Sequence, residues 1–404
     1  MTRLCNVRPL ILALFLLPLS VAQAQQLPKS VTVGTNPAGT VFYAIAGGLA
    51  SVISGAAPFQ AVIQPYTGTS TFLPLLDNGE IDFGVINAVE MNLAYQGATR
   101  FKVGGRNPLP HVPNTRLIMR GSPLQVSLVV KKDSPIKTVH DVKGKRVTGE
   151  YPANVAIWFH VFTGLASGGL TWNDVKVVPV PAVNEGVDAL VQGRADVSNH
   201  AIGAAKIKEA DASVGIRFVS LDCSPEGEER IKKAVPGYYP ATLKSASSTG
   251  IVGDTCVLSY DIYFVGHKAL SAQTVQATLK ALWENIEKLP PLHAQFKDWT
   301  RERAASADVT LPYHPAAVQF YKDKGIWSAQ IENTQKKLLA LNPVTQKKDT
   351  SPRSNFMILR WPTENENRAC LEPTRTTRHS RMLLAGIQAE SGLDPRLKHS
   401  GVTH

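Results

Sequence analysis

The feature that most restricts what this chain can fold into is a junction that occurs twice. Leu76-Asp-Asn-Gly79-Glu-Ile-Asp82-Phe83 and Leu190-Val-Gln-Gly193-Arg-Ala-Asp196-Val197 follow one order: helix end, glycine, two residues, aspartate, strand. Glycine supplies the left-handed position that closes a helix, and the aspartate stands where the next strand begins. A single copy is ordinary at a helix-to-strand turn. Two copies 114 residues apart, each behind a strand–helix unit, imply two similar lobes. Two lobes enclose a cleft, and clefts bind ligands.

The surrounding pattern agrees. Val31–Gly34 is a β-rich run, and residues 41–53 carry Phe42, Ile45, Leu49 and Ile53 at helical spacing. Strands are expected at 59–66, 81–86, 124–131, 175–180, 195–197 and 216–221, and helices at 71–76, 155–166, 181–191, 271–289 and from 315 past 327. Alternation of this kind specifies an α/β fold with neighbouring strands mostly parallel. The expected lobes are residues 28–120 with parts of 250–342, and residues 125–250. A chain of 404 residues exceeds one domain of ordinary size and suits this division.

Both ends stand apart. Arg3 and Arg8 precede an apolar run from Leu10 to Leu19, and Ala22-Gln-Ala24 fits a cleavage site, so residues 1–24 read as a secretory signal peptide. The run is short of the roughly 20 residues that span a bilayer. An exported, periplasmic, soluble and monomeric protein is expected. Residues 345–404 hold ten Lys/Arg against six Asp/Glu with little periodicity, and read as a basic, disordered tail. Cys5 leaves with the signal. In an oxidising compartment Cys223 and Cys256 pair as a disulfide or remain as two buried thiols. No Cys/His cluster has zinc spacing.

The net charge of +11 is the balance of 43 basic and 32 acidic residues, with no dense basic block and aromatics at only 7%, which argues against nucleic acid. No Gly-x-Ser-x-Gly elbow, dinucleotide fingerprint, P-loop or His-Glu-x-x-His is present, and no cofactor is implied. What stands out instead are three loop–helix junctions with small or hydroxyl residues: Thr35 to Phe42, Thr67 to Thr71, and Gly149 to Asn154. Helix N-termini present free N–H groups and partial positive charge, so they hold carboxylates without a cationic side chain. Each junction alone is an ordinary helix cap; three facing one cleft form an anion site. The expected ligand-binding residues are Thr35, Tyr43, Thr69, Ser70 and Asn87 from lobe one, with Tyr151, Asn154 and His200 from lobe two. Tyr43 and Tyr151 combine an aromatic wall with a polar tip. Asn87 and His200 follow equivalent strands.

At these residues the sequence resembles the TAXI-type solute receptors of tripartite ATP-independent periplasmic (TRAP) transporters. Val33-Gly-Thr-Asn-Pro-Ala-Gly-Thr-Val-Phe-Tyr43 is similar to the family's opening Gly-Thr…Gly-(Ser/Thr)-x-Tyr-Tyr, with Phe42 in place of the first tyrosine. Thr67-Gly-Thr-Ser70 and Gly79-Glu-Ile-Asp82-Phe-Gly-Val85 are similar to its Thr-Gly-Gly-Ser…Gly-Glu-x-Asp-x-Gly, and the run from Ile136 to Val147 to its Asp-Leu-Lys-Gly-Lys-Arg-Val. The resemblance covers about residues 30–340. Departures are Asn87 in place of a longer polar run, Glu150-Tyr-Pro-Ala153 in place of a glycine-rich loop, and Ser198-Asn-His200 in place of a more aromatic segment. The resemblance implies a type II-like periplasmic-binding-protein clamshell, with a hinge and an interlobe cleft. It implies a small carboxylate-bearing organic solute and an integral-membrane TRAP permease as partners, and no enzymatic activity. Receptors serving ABC importers or sensor kinases, and secreted enzymes on a bilobal fold, are the rival readings.

Overall fold

The computed structural model describes residues 27–100 and 102–342. The expected signal peptide and basic tail lie outside the described residues. The first lobe opens with β1 (Ser30–Thr35), α1 (Val41–Ala56), β2 (Gln60–Pro65), α2 (Thr69–Asn78), β3 (Phe83–Asn87) and α3 (Ala88–Gln96). β1 lies between β2 and β3 and runs parallel to both. The long strand β4 (Thr115–Lys131) then leads into β5 (Arg146–Glu150), α4 (Val155–Ser167), β6 (Lys176–Val180), α5 (Val183–Val191), β7 (Ser198–Ala201) and β8 (Ile216–Phe218). After helices Ala205–Val214 and Pro225–Ala234 come β9 (Tyr239–Leu243) and the second long strand, β10 (Thr255–His267). Helices Ala272–Glu284, Pro315–Asp323 and Ala329–Leu341 follow.

The eight-stranded sheet runs β2-β1-β3-β10-β4-β7, with β8 beside β4 and β9 beside β10. β10 spans both lobes. Its start pairs with β9 (Thr255 with Leu243) and its end with β3 (Gly266 with Phe83). β4 accompanies it and then pairs with β7 and β8. Both long strands are buried along nearly their whole length, and β10 and the second half of β4 are accordingly rich in apolar residues, whereas the first half of β4 carries Arg116, Arg120, Gly121 and Pro123.

The expectation of mostly parallel neighbours is corrected here. β1–β2, β1–β3 and β5–β6 are parallel, but every pairing of β4 and β10 with another of these strands is antiparallel. A strand that carries the chain into the second lobe and one that returns it must run in opposite directions. Where they cross, a register irregularity falls between Asp261 and Tyr263. Asp261 there accepts from Arg120 at 2.6 Å and Arg303 at 3.0 Å, pinning the hinge strands to the 301–304 turn.

The repeated junction does one job in both lobes. Gly79 and Gly193 adopt φ of 75° and 74°, left-handed values that glycine takes without a Cβ penalty. Asp82 then accepts from the backbone N–H of Thr32 at 2.8 Å, and Asp196 from that of Arg146 at 2.9 Å. Each carboxylate ties its strand to one exactly 50 residues earlier in the chain, in β1 and β5. Cys223 and Cys256 form a disulfide with Cα atoms 5.8 Å apart, joining the segment before helix Pro225–Ala234 to the start of β10.

Candidate functional site

The first turns of helices from both lobes border one narrow pocket of about 30 Å³. From the first lobe come the start of α1 (Thr40, Val41, Phe42), Thr69 at the start of α2, and Asn87 and Glu90 at the start of α3. The second lobe supplies Asn154, Ala156 and Ile157 at the start of α4 and Val183 at the start of α5. Each of the five helices therefore begins at the same pocket. Val126, His160, His200, Ala201 and Tyr260 complete the lining.

Local sequence explains how these ends are set. The Thr40 hydroxyl accepts from Tyr43 N–H at 3.2 Å and opens α1. Asn87 is both the last residue of β3 and the cap of α3, so strand passes into helix without a loop. Its side-chain oxygen accepts from Val89 N–H at 2.7 Å and Glu90 N–H at 3.3 Å, and its amide nitrogen donates to the Tyr238 hydroxyl at 3.3 Å. That nitrogen also lies 3.2 Å from His160 Nε2. An amide nitrogen only donates, so Nε2 accepts and His160 is neutral with its proton on Nδ1. Burial agrees, lowering the His160 pKa to about 3 and that of His200 to about 4. Asn154 precedes α4 but makes no capping bond; both polar atoms of its buried side chain are unpartnered.

Glu90 is the charged anomaly. It is 1% exposed, and neither carboxyl oxygen has a hydrogen-bond partner. Burial raises its pKa to about 8. The Thr69 hydroxyl and the Ala156 N–H lie close enough to pull it back, but neither completes a hydrogen bond to it.

The structure sorts the expected residues. Thr69, Asn87, Asn154 and His200 are brought together on the pocket wall. Thr69 donates to Asn36 Oδ1 at 3.1 Å, and His200 Nε2 lies 3.3 Å from Asn184 Oδ1. Thr35 is buried with an unpartnered hydroxyl but sits outside the lining. Ser70 is also outside it: its hydroxyl accepts from Val155 N–H at 3.3 Å, directly across the cleft. Tyr43 is half-buried and does not reach the pocket. Tyr151 is corrected more sharply. Glu150 and Tyr151 take left-handed φ of 68° and 51°, a conformation unfavourable for residues with a Cβ. This turns the Tyr151 ring into the second lobe, where its hydroxyl bonds Thr148. Glu150 is exposed.

Glu90, His160 and Tyr260 are the site residues that sequence reasoning missed. The His160 and Tyr260 rings stack with centroids 5.1 Å apart. A glutamate three residues past a capping asparagine reads as an ordinary capping pair, and Tyr260 is hidden inside an apolar strand.

Further bonds close the cleft. Asn184 donates to Ala38 O at 3.0 Å, and Lys206 N–H to Gly39 O at 3.1 Å. A model of the NMT1-like family matches residues 33–325, well over half of the chain. The chain belongs to the NMT1-like family. Members are solute-binding proteins rather than enzymes. Among solved structures, the chain is similar to the binding-protein component of an ABC phosphonate transporter from Pseudomonas aeruginosa, with 9% identity, 77% of this chain and 96% of that chain covered, and a TM-score of 0.46. It is also similar to the alkanesulfonate-binding protein SsuA from Xanthomonas axonopodis pv. citri bound to MOPS, with 13% identity, coverage of 76% and 98%, and a TM-score of 0.41. A third, an ancestral arginine-binding protein bound to arginine, has 17% identity, coverage of 68% and 99%, and a TM-score of 0.39.

Proposed function

We propose that this protein is an exported receptor that closes its two lobes on a small carboxylate-bearing solute and passes it to a TRAP-type integral-membrane permease. The observation that carries the reading is the convergence of helix N-termini from both lobes on one pocket with no Lys or Arg in its lining. Their N–H groups and dipoles favour an anionic group without a cationic side chain. Because donors come from both sides, a bound solute interacts with the closed arrangement more than with an open one. That differential is what shifts a two-lobed receptor toward closure. Nothing in this cycle requires bond making. Delivery to a TRAP permease rests on the TAXI-like segments at 33–43, 67–85 and 136–147, and export on the Ala22-Gln-Ala24 site.

Native mass spectrometry of protein purified from its host tests the receptor reading. A carboxylate-bearing small molecule released on denaturation is the expected result. Protein that carries no solute, and whose lobes close on none in a metabolite screen, would refute it. Uptake of the released solute by the permease in vesicles lacking ATP tests the delivery step, and a requirement for ATP would refute it.

A further inference from the structure

Resting on the receptor reading, the pocket's own charges specify a second feature of the solute. Among the lining residues only Glu90, His160, His200 and Tyr260 titrate. Both histidines are buried and held neutral, and burial keeps the tyrosine hydroxyl protonated. Tyr238, which packs on His160 from the segment before β9, is likewise kept neutral. The carboxyl of Glu90 is therefore the one side chain on the pocket wall able to carry a charge near neutral pH, and its charge is negative.

Its carboxyl has no hydrogen-bond partner among the described residues of the protein. Glu90 occupies the third position of α3, where a glutamate commonly folds back onto the cap residue and satisfies an exposed N–H. Here Asn87 caps the helix with its own side chain, and both Glu90 oxygens remain without a partner. A buried carboxyl without hydrogen bonds is unfavourable, and an apolar residue or glutamine would avoid the penalty. Across the pocket, both polar atoms of the Asn154 side chain are also unpartnered. Two lobes thus present unsatisfied polar groups to one space, and no positive side chain in the lining answers the acid.

We propose that the solute also carries a protonated amine, that this amine is held by Glu90, and that the ligand is therefore a compact zwitterion. The helix N-termini take the carboxylate. Glu90 takes the cation, and Asn154 offers a neutral acceptor from the facing lobe. The apolar walls at Val41, Phe42, Val126 and Ile157 contact the rest of the molecule. Since the empty pocket favours the protonated carboxyl, an arriving ammonium displaces that proton, and binding at pH 7 releases it to solvent.

Calorimetric titration with the proteinogenic L-α-amino acids, each beside the 2-hydroxy acid that keeps its carboxylate but lacks its amine, tests the proposal. At least one amino acid binds, and its hydroxy acid binds about tenfold or more weakly, the loss expected of a hydrogen bond to a charged group. Glu90→Gln weakens the amino acid by about the same factor and narrows the gap between it and its hydroxy acid. The binding heat of the parent at pH 7 varies with the ionisation enthalpy of the buffer, in the direction of proton release, and that of Glu90→Gln does not. Equal affinity for the two series would overturn the proposal and leave the receptor reading standing. So would an unchanged amino-acid affinity in a folded Glu90→Gln protein. Binding by neither series, with a co-purified solute that lacks an amine, would do the same. The comparison of the two series on the parent protein decides the matter even if the variant folds poorly.

Discussion

Replacing Gly68 by alanine isolates lobe closure from folding. Gly68 caps α2 with φ of −176° and ψ of 172°, extended values open to any residue, so backbone freedom does not explain the glycine. Proximity does. A Cβ there would lie 2.0 Å from the Ala153 carbonyl oxygen and 2.8 Å from Asn154 Cβ, where ordinary contact begins at 3.4 Å. The opposing atoms belong to the other lobe and are mostly backbone, so the lobes themselves must part by about 1 Å or more. That withdrawal breaks the Ser70–Val155 bond and strains those from Asn184 to Ala38 and Lys206 to Gly39. At about 1 kcal/mol per net hydrogen bond, losing two or three costs the closed state about 2–3 kcal/mol, or about 30- to 150-fold in solute affinity. The open form loses no contact, and glycine-to-alanine at a compatible φ adds about 0.4–1 kcal/mol through the unfolded chain. Thermal melts of the empty protein should therefore show an unchanged or raised midpoint, while titration with the co-purified solute shows the loss. Parental affinity in Gly68→Ala would refute the reasoning, because it would mean that productive binding does not bring these surfaces together.

Three further outcomes follow from named groups. Cys223→Ser with Cys256→Ser opens a loop whose ends are 33 residues apart and should lower stability by about 3–4 kcal/mol in the chain-entropy model, read by urea unfolding; parental stability would contradict it. Burial raises the Glu90 pKa to about 8 from an ordinary glutamate value of 4.5, so the folded state without solute binds its proton more tightly than the unfolded chain. Its contribution to stability therefore falls as pH rises from about 4.5 to 8, by up to about 1.4 kcal/mol per unit, and the advantage of Glu90→Gln in urea melts should widen across that window and level off above it. Tyr151→Phe should leave solute affinity unchanged and cost about 1–2 kcal/mol of stability, because its hydroxyl serves Thr148 rather than the pocket; a large affinity loss at parental stability would reverse that placement.

What the sequence made legible was local chemistry. The paired glycines and aspartates at 79/82 and 193/196 act within a few residues of themselves, and the structure uses both copies alike. The start of α4 was readable for the same reason. Less legible were features whose partners are remote. The first half of β4 contains Arg116, Arg120, Gly121 and Pro123 and lies outside the strand expected at 124–131; Asp261 and the 301–304 turn, far along the chain, hold that stretch in place. α3 was missed because Asn87 ends a strand and caps a helix at once, leaving no punctuation between them. Missing α3 hid Glu90. Tyr151 misled in the opposite sense: its position after a strand and before a helix suggested a pocket wall, but a left-handed turn rotates the ring inward. The helix expected to run from 315 past 327 breaks at Gly325, whose φ of 75° ends Pro315–Asp323 before Ala329–Leu341 begins.

The central claim is that one small solute, held by helix ends from both lobes, drives closure. Small-angle scattering of the purified protein, with and without its co-purified solute, tests this most directly. The account predicts that solute lowers the radius of gyration of the parent, and that Gly68→Ala at saturating solute keeps the larger value of the empty protein. A radius that does not change when the parent binds its solute would contradict it.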